Sequence, residues 1–210
     1  MSSEGANARG IDVSHFQGTV NWNEVKQGGI SFGFAKATEG LNTNDAMFQT
    51  NWNGMQAAGI IRGTYHFFHA SEDATAQANH FLSKAQIGPG DLPPVLDVEQ
   101  GGLDHVTNHT EVLNGVKTWL DVVGTKVGRT PILYASPSFA SEYFAGELGS
   151  YPLWVAEYGV SQPKMPTGWK TWTFWQYTQY GKASGVNGNA DLDYFNGSYD
   201  DLLAFIKGGE

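Results

Sequence analysis

Short apolar runs alternate with helix-length amphipathic segments through roughly the first 150 residues, and after that the helices stop until the C-terminus. Strands are predicted near 10–13, 31–37, 62–68, 94–99, 131–135, 153–157, 172–177 and 191–194. Helices are predicted over 44–58, 71–85, 107–123, 136–144 and 199–207. Within 107–123, Val112, Val116, Trp119, Leu120 and Val123 fall on one stripe. Ser71 is placed to cap the helix that follows it. Alternating strand and helix implies parallel strands joined by crossovers. Eight such strands, with helices missing from the last third, predict an α/β barrel whose final strands are joined directly.

A chain of 210 residues suits one domain or a single small barrel. No internal repeat or low-complexity linker divides it, so 10–210 reads as a single catalytic domain behind an N-terminal extension over 1–9. The net charge of −9, with no cluster of Lys or Arg, argues against a nucleic-acid partner. No stretch approaches the ~18 continuous apolar residues of a membrane span. Cysteine is absent, which removes disulfides and thiolate chemistry. The first seven residues have neither the basic nor the apolar region of a signal peptide. Export by another route, or a mature form with an added Met, is therefore expected. Asn108-His109-Thr110 and Asn196-Gly197-Ser198 are glycosylation sequons.

Asp97 and Glu99 follow the apolar run Pro93-Pro94-Val95-Leu96. Residues i and i+2 of a strand share a face, so both carboxyls project the same way from the strand's C-terminal tip. Like charges this close suppress each other's ionisation, which lets one group donate a proton while its neighbour stays charged. Acids beyond a strand end are also common simply because the chain turns into solvent there, so the neighbouring strands matter. In a parallel barrel the strand C-termini converge on one mouth. Those ends offer Asp12, Tyr65 and Phe67, Tyr134, then Trp154 with Tyr158, Gln176, and Asp191 at the start of the last strand. Four acids ringed by aromatic side chains point to acid-catalysed hydrolysis of a sugar polymer, because aromatic faces stack on the apolar side of pyranose rings. Lys36 shares a face with Phe34; it either lines the mouth and pairs with an acid or is a surface lysine at a strand end. Glu39 reads as a loop residue suited equally to a structural hydrogen bond or to substrate contact.

Six segments occur in order: Gly10-Ile11-Asp12-Val13-Ser14-His15-Phe16-Gln17-Gly18, Lys36-Ala37-Thr38-Glu39-Gly40, Tyr65-His66-Phe67, Asp97-Val98-Glu99, Leu153-Trp154-Val155-Ala156 and Trp175-Gln176-Tyr177. In these the chain resembles the Chalaropsis-type lysozymes of glycoside hydrolase family 25, from about Gly10 to Phe205. The resemblance implies an irregular TIM-like barrel, about five β/α units followed by three strands without helices. It also implies an N-acetylmuramidase that cleaves the β-1,4 bond between N-acetylmuramic acid and N-acetylglucosamine in bacterial peptidoglycan. On that pattern Glu99 is the general acid/base. Asp97 is its partner, either attacking C1 or orienting the substrate's 2-acetamido group as nucleophile, and Asp12 and Asp191 flank the pair. The i, i+2 spacing does not choose between nucleophiles; the resemblance favours retention with neighbouring-group help. Tyr65, Phe67, Tyr134, Trp154, Tyr158, Gln176 and Lys36 are the expected substrate contacts. A monomer acting outside the cell, needing no cofactor and holding no metal, is expected. The chain departs from the pattern at Ala35, Thr43 and Glu157, which bears on subsite preference.

Two rival readings are weaker. A chitinase of the family 18 type needs a further acid two residues before Asp97, where Val95 stands. An inactive sugar-binding module would be signalled by loss of Asp97 or Glu99, and both are present. His66 and His69, three apart on a strand, face opposite ways and do not make a metal pair. His105 and His109 have helical spacing without an acid in ligand register. The neighbouring acids are expected to raise the Glu99 pKa and give an acid pH optimum.

Overall fold

The computed structural model describes residues 6–208. In chain order these form β1 (Arg9–Val13), α1 (Trp22–Gln27), β2 (Phe32–Glu39), β3 (Thr43–Asn44), α2 (Phe48–Ala57), β4 (Ile61–Phe67), α3 (Ala74–Lys84), β5 (Val95–Asp97), α4 (His109–Val127), β6 (Ile132–Ala135), α5 (Pro137–Phe144), β7 (Leu153–Ala156), β8 (Phe174–Gly181), β9 (Ala190–Phe195) and α6 (Tyr199–Lys207). Eight strands close into a barrel in the order β1, β2, β4, β5, β6, β7, β8, β9. The two-residue β3 is a spur paired with the end of β2.

Neighbours from β1 through β8 are parallel, whereas β9 runs antiparallel to both β8 and β1. The barrel is therefore not wholly parallel as the alternation implies. β8 and β9 are joined as a hairpin without a crossover helix, and a direct connection of that kind permits only antiparallel pairing. The reversal has a consequence for chemistry. It brings the start of β9 to the same rim as the C-terminal ends of the other strands, and Asp191 pairs directly with Asp12.

Side-chain alternation splits the barrel wall into two faces. Ile11, Val13, Ala35, Ala37, Leu96, Val98, Leu133 and Ala135 point outward beneath the helices. The α4 stripe Val112, Val116, Trp119, Leu120 and Val123 is buried, as its spacing predicts. Inward, Phe32, Phe34, Val95, Ile132, Trp154, Phe174 and Phe195 fill the lower barrel, and Leu202 and Ile206 of α6 join this cluster. Phe34 stacks on Trp154 with centroids 4.3 Å apart, and Phe174 meets Phe32 and Phe34 edge-on at 5.3 Å. Glycine makes room for these rings: a Cβ on Gly10 would lie 2.2 Å from Phe32, and one on Gly63 2.4 Å from Phe34.

Helix boundaries differ from expectation where polar side chains decide them. α3 is capped by Asp73, whose carboxylate accepts from the Ala76 N–H at 2.7 Å, so Ser71 lies outside the helix. The α2 region starts at Phe48 because Thr43 and Asn44 are taken up by β3. α1 is an addition between β1 and β2, capped by Asn21 and burying Trp22 and Val25. No helix among the described residues is long and apolar enough to cross a membrane.

Candidate active site

Above the aromatic floor the inward positions turn polar. β5 ends at Asp97, but the backbone stays extended through Glu99 (φ −146°, ψ 171°), where a 3-10 turn over Gln100–Gly102 begins. The i, i+2 alternation therefore persists beyond the ladder: Val98 faces the outer core, and Asp97 and Glu99 share the inner face. Their carboxyls are within hydrogen-bonding reach of each other. Asp97 is 7% exposed, whereas Glu99 opens to solvent at the rim.

Both acids hold protons more tightly than usual. Burial raises Asp97 well above the ordinary carboxylate range, and the charge of Glu99 adds to this; Lys36 works the other way. Glu99 is raised because the walls of the mouth displace water around its carboxyl, partly offset by its hydrogen bond with Asp97 and by Lys36. Each carboxyl therefore acts on the other's protonation, and the two titrate as a pair. Asp97 Oδ1 is buried without a hydrogen-bond partner.

A second carboxyl group of three sits opposite, on β1 and β9. Asp12 is 5% exposed and raised by burial, then by the charges of Asp193 and Asp191. Asp191 is pushed up to about 6, chiefly by burial. Asp193, fully buried, is raised by burial and receives the Trp154 Nε1–H at 2.9 Å, while its Oδ2 has no partner. Asp193 is the site residue the strand-end reading leaves out. The signal was available, since Asp191 and Asp193 stand in the same i, i+2 relation as Asp97 and Glu99.

The aromatic and amide residues sort into three groups by depth. Tyr65, Phe67 and Tyr134 are half-buried and Tyr158 is 40% exposed, so these can face a ligand. Burial, reinforced by nearby carboxylates, keeps the Tyr65, Tyr134 and Tyr158 hydroxyls protonated as donors. Trp154 must be corrected as a substrate contact. It is 2% exposed, stacked within the barrel core, because its strand position lies one layer below the rim. Gln176 must also be corrected as a contact surface. At 4% exposure both ends of its amide are engaged: Nε2 donates to Asp12 Oδ2 at 2.7 Å, and Oε1 accepts from Tyr134 at 2.8 Å and Tyr158 at 2.5 Å. It orients Asp12 instead.

Lys36 does line the mouth. Its ammonium lies 2.5 Å from Glu39 Oε2 and 5.0 Å from the centroid of the Phe67 ring. Glu157 turns away to accept from the Lys164 N–H at 2.6 Å. His66 is buried between Thr38 and Gln77, and burial holds it down to about 3, so it is a neutral structural residue. His105 lies in a left-handed loop turn, and His109 opens α4, so the two do not share a helical face. No group of three or more His, Asp or Glu side chains set to hold a metal is found among the described residues. A surface hollow of about 700 Å³ beside α1, α2 and the β8–β9 hairpin shares no residue with this mouth and has Glu24 as its one acid.

A closed α/β barrel with coupled carboxyls and aromatic rings at the C-terminal rim of its strands has the parts of a carboxylate glycosidase. The family model described as Glycosyl hydrolases family 25 matches residues 11–186. The chain belongs to that family and is a glycoside hydrolase. It is 39% identical to lysozyme M1 of Streptomyces globisporus over 95% of its own length and 71% of that protein. It is 31% identical to the N,O-diacetylmuramidase of Chalaropsis sp., over 95% of this chain and 99% of the other. The crystal structure of a bacterial lysozyme from Streptomyces coelicolor superimposes with a TM-score of 0.91 at 36% identity, covering 99% of this chain and all of that one.

Proposed function

We propose that this protein is a muramidase that hydrolyses the β-1,4 bond between N-acetylmuramic acid and N-acetylglucosamine in bacterial peptidoglycan. The observation that carries the reading is the Asp97–Glu99 pair, two successive inward carboxyls that act on each other's charge at the rim of a family 25 barrel. The lysozyme and muramidase names of its relatives support the same substrate.

Glu99, the more open of the two, protonates the glycosidic oxygen as the bond to C1 breaks. Asp97 accepts the N–H of the 2-acetamido group. That hydrogen bond favours the anionic form of Asp97, and the negative charge beside Glu99 keeps Glu99 protonated. The acetamido oxygen closes on C1, giving a cyclic oxazolinium and releasing the N-acetylglucosamine side as an alcohol. Water, deprotonated by Glu99, then opens the ring and restores the original configuration at C1. Asp12 and Asp191 stabilise the positive charge that builds on the sugar and bind its hydroxyls. Tyr65, Phe67, Tyr134 and Tyr158 supply the stacking surface, with Lys36 beside them; the Tyr134 and Tyr158 hydroxyls already donate to Gln176. The enzyme acts as a monomer with no cofactor, outside the cell, where its polymer lies; neither membrane nor nucleic acid is a partner.

Mass spectrometry of digested peptidoglycan tests the proposal. Muramic acid at the new reducing end is expected. Glucosamine there, or faster release of reducing ends from chitin than from peptidoglycan, would overturn it.

A further inference from the structure

A second line of charged side chains crosses the same mouth. Lys36 Nζ meets Glu39 Oε2 at 2.5 Å, and Glu39 Oε1 meets His69 Nε2 at 3.0 Å. His69 Nδ1 meets Asp104 Oδ2 at 2.7 Å, and that oxygen also accepts from Ser71 Oγ at 3.0 Å. Three separate segments supply the line: the end of β2, the connection from β4 to α3, and the connection from β5 to α4. Both nitrogens of His69 face a carboxylate. A neutral imidazole has one N–H, so its other nitrogen would aim a lone pair at a carboxylate oxygen. Two carboxylates at these distances require the imidazolium. Asp104 (φ 50°) and His105 (φ 70°) are non-glycine residues in left-handed backbone, and the Asp104 side chain there meets His69 and Ser71.

The line ends on Lys36, whose charge lowers both Asp97 and Glu99, while the charge of Glu39 opposes it at Asp97. Glu39 is thus divided between two cations. When His69 holds its share, more of the Lys36 charge is felt at the acid pair. We infer that His69 is a positioning residue for the hydrolysis: clamped as an imidazolium between Glu39 and Asp104, it sets how strongly Lys36 acts on Asp97 and Glu99. This rests on the assignment of those two acids to the reaction.

The groups facing His69 bear this out. Lys36 and Glu39 come from β2, Glu72 and Ser71 from the β4–α3 connection, and Asp104 and His105 from the β5–α4 connection. His66 of β4 and His80 of α3 lie beyond, and His66 is neutral. Burial alone would lower His69, but its hydrogen bonds to Glu39 and Asp104 prevail and raise it. The same bonds, with that from Lys36, keep Glu39 ionised against its burial.

Two substitutions separate this role from a merely structural one, because they move the pH profile of kcat/KM on purified peptidoglycan in opposite directions. Glu39→Gln frees the Lys36 charge, so the alkaline limb moves to lower pH. His69→Gln leaves Glu39 to neutralise Lys36, so the limb moves to higher pH. Each shift is about 0.3 to 1 unit, the scale of one charge acting across a solvated mouth. Limbs that coincide with the parent's, or that move together, overturn the inference. Nitrogen-15 NMR of the unmutated protein reads His69 directly and does not depend on how the variants fold. A doubly protonated ring at pH 7 is expected, and a single neutral tautomer overturns the inference. Glu99→Gln serves as control. If that variant keeps parent-like activity, the assignment of the acids fails; if it is inactive while the two limbs stay put, the role of His69 alone fails.

Discussion

A carboxyl placed inside a barrel takes its charge from its neighbours more than from the solvent pH. Asp193 is the deepest case, with the Trp154 indole on one oxygen and the Asp12 carboxyl beside it. Asp12, Asp97 and Asp193 all bind protons more tightly in the fold than in the unfolded chain, where carboxylates titrate near 4. For a raised acid the stabilising contribution is complete below the unfolded pKa and is lost as pH climbs through the folded value. The window therefore opens near 4 and extends past the value of about 6 for Asp191. Glu39 and Asp104 are lowered and act in reverse, losing their contribution as pH falls below the usual carboxylate range. Replacing Asp193 by Asn keeps the acceptor for Trp154 and removes one such proton. Urea unfolding at pH 5 and pH 8 is expected to show the parent losing more stability over that interval than Asp193→Asn. Equal losses would mean that Asp193 is already charged in the fold.

Secondary-structure elements carry the carboxyls into register, and here the sequence is legible in some places and opaque in others. Asp97 and Glu99 can be paired from sequence because extended backbone continues two residues past the ladder, so strand alternation still applies. Trp154 and Gln176 are placed correctly on the inner face, but alternation says nothing about height along the barrel, and both lie below the surface a sugar could reach. α1 escapes notice because six residues with Trp22 and Val25 as their buried pair show too little period. The Lys36–Glu39–His69–Asp104 line joins positions up to 68 residues apart through loop geometry, which no local pattern encodes. One glycine shows how tightly those loops fit. A Cβ on Gly102, at the end of the turn that follows Glu99, would lie 2.0 Å from the Phe68 carbonyl oxygen. Gly102 O in turn accepts from the Ala70 N–H at 2.7 Å. Gly102→Ala must push the turn off β4, at a cost of about 1–3 kcal/mol for overpacking. Loss of kcat together with a lower urea midpoint is the expected pattern; an unchanged midpoint would show that the loop has slack.

At the scale of the whole molecule the charge of −9 meets an anionic polymer. At about 10 mM salt the Debye length is about 30 Å and repulsion spans the encounter, whereas at about 100 mM it shrinks to about 10 Å. Turnover of intact walls is accordingly expected to rise over that range, and a steady fall from the lowest salt would contradict it. The barrel itself assigns separate tasks to its layers. Aromatic rings fill the floor, Gln176 holds Asp12, and the β2, β4 and β5 connections set the charge around the working pair. All of it converges on Glu99, so the most direct measurement is the turnover of peptidoglycan by Glu99→Gln, read beside its melting temperature. A fall of about 100- to 10,000-fold in kcat with the melting temperature preserved is predicted for a lost general acid. Turnover near the parent's rate from that folded variant would contradict the account.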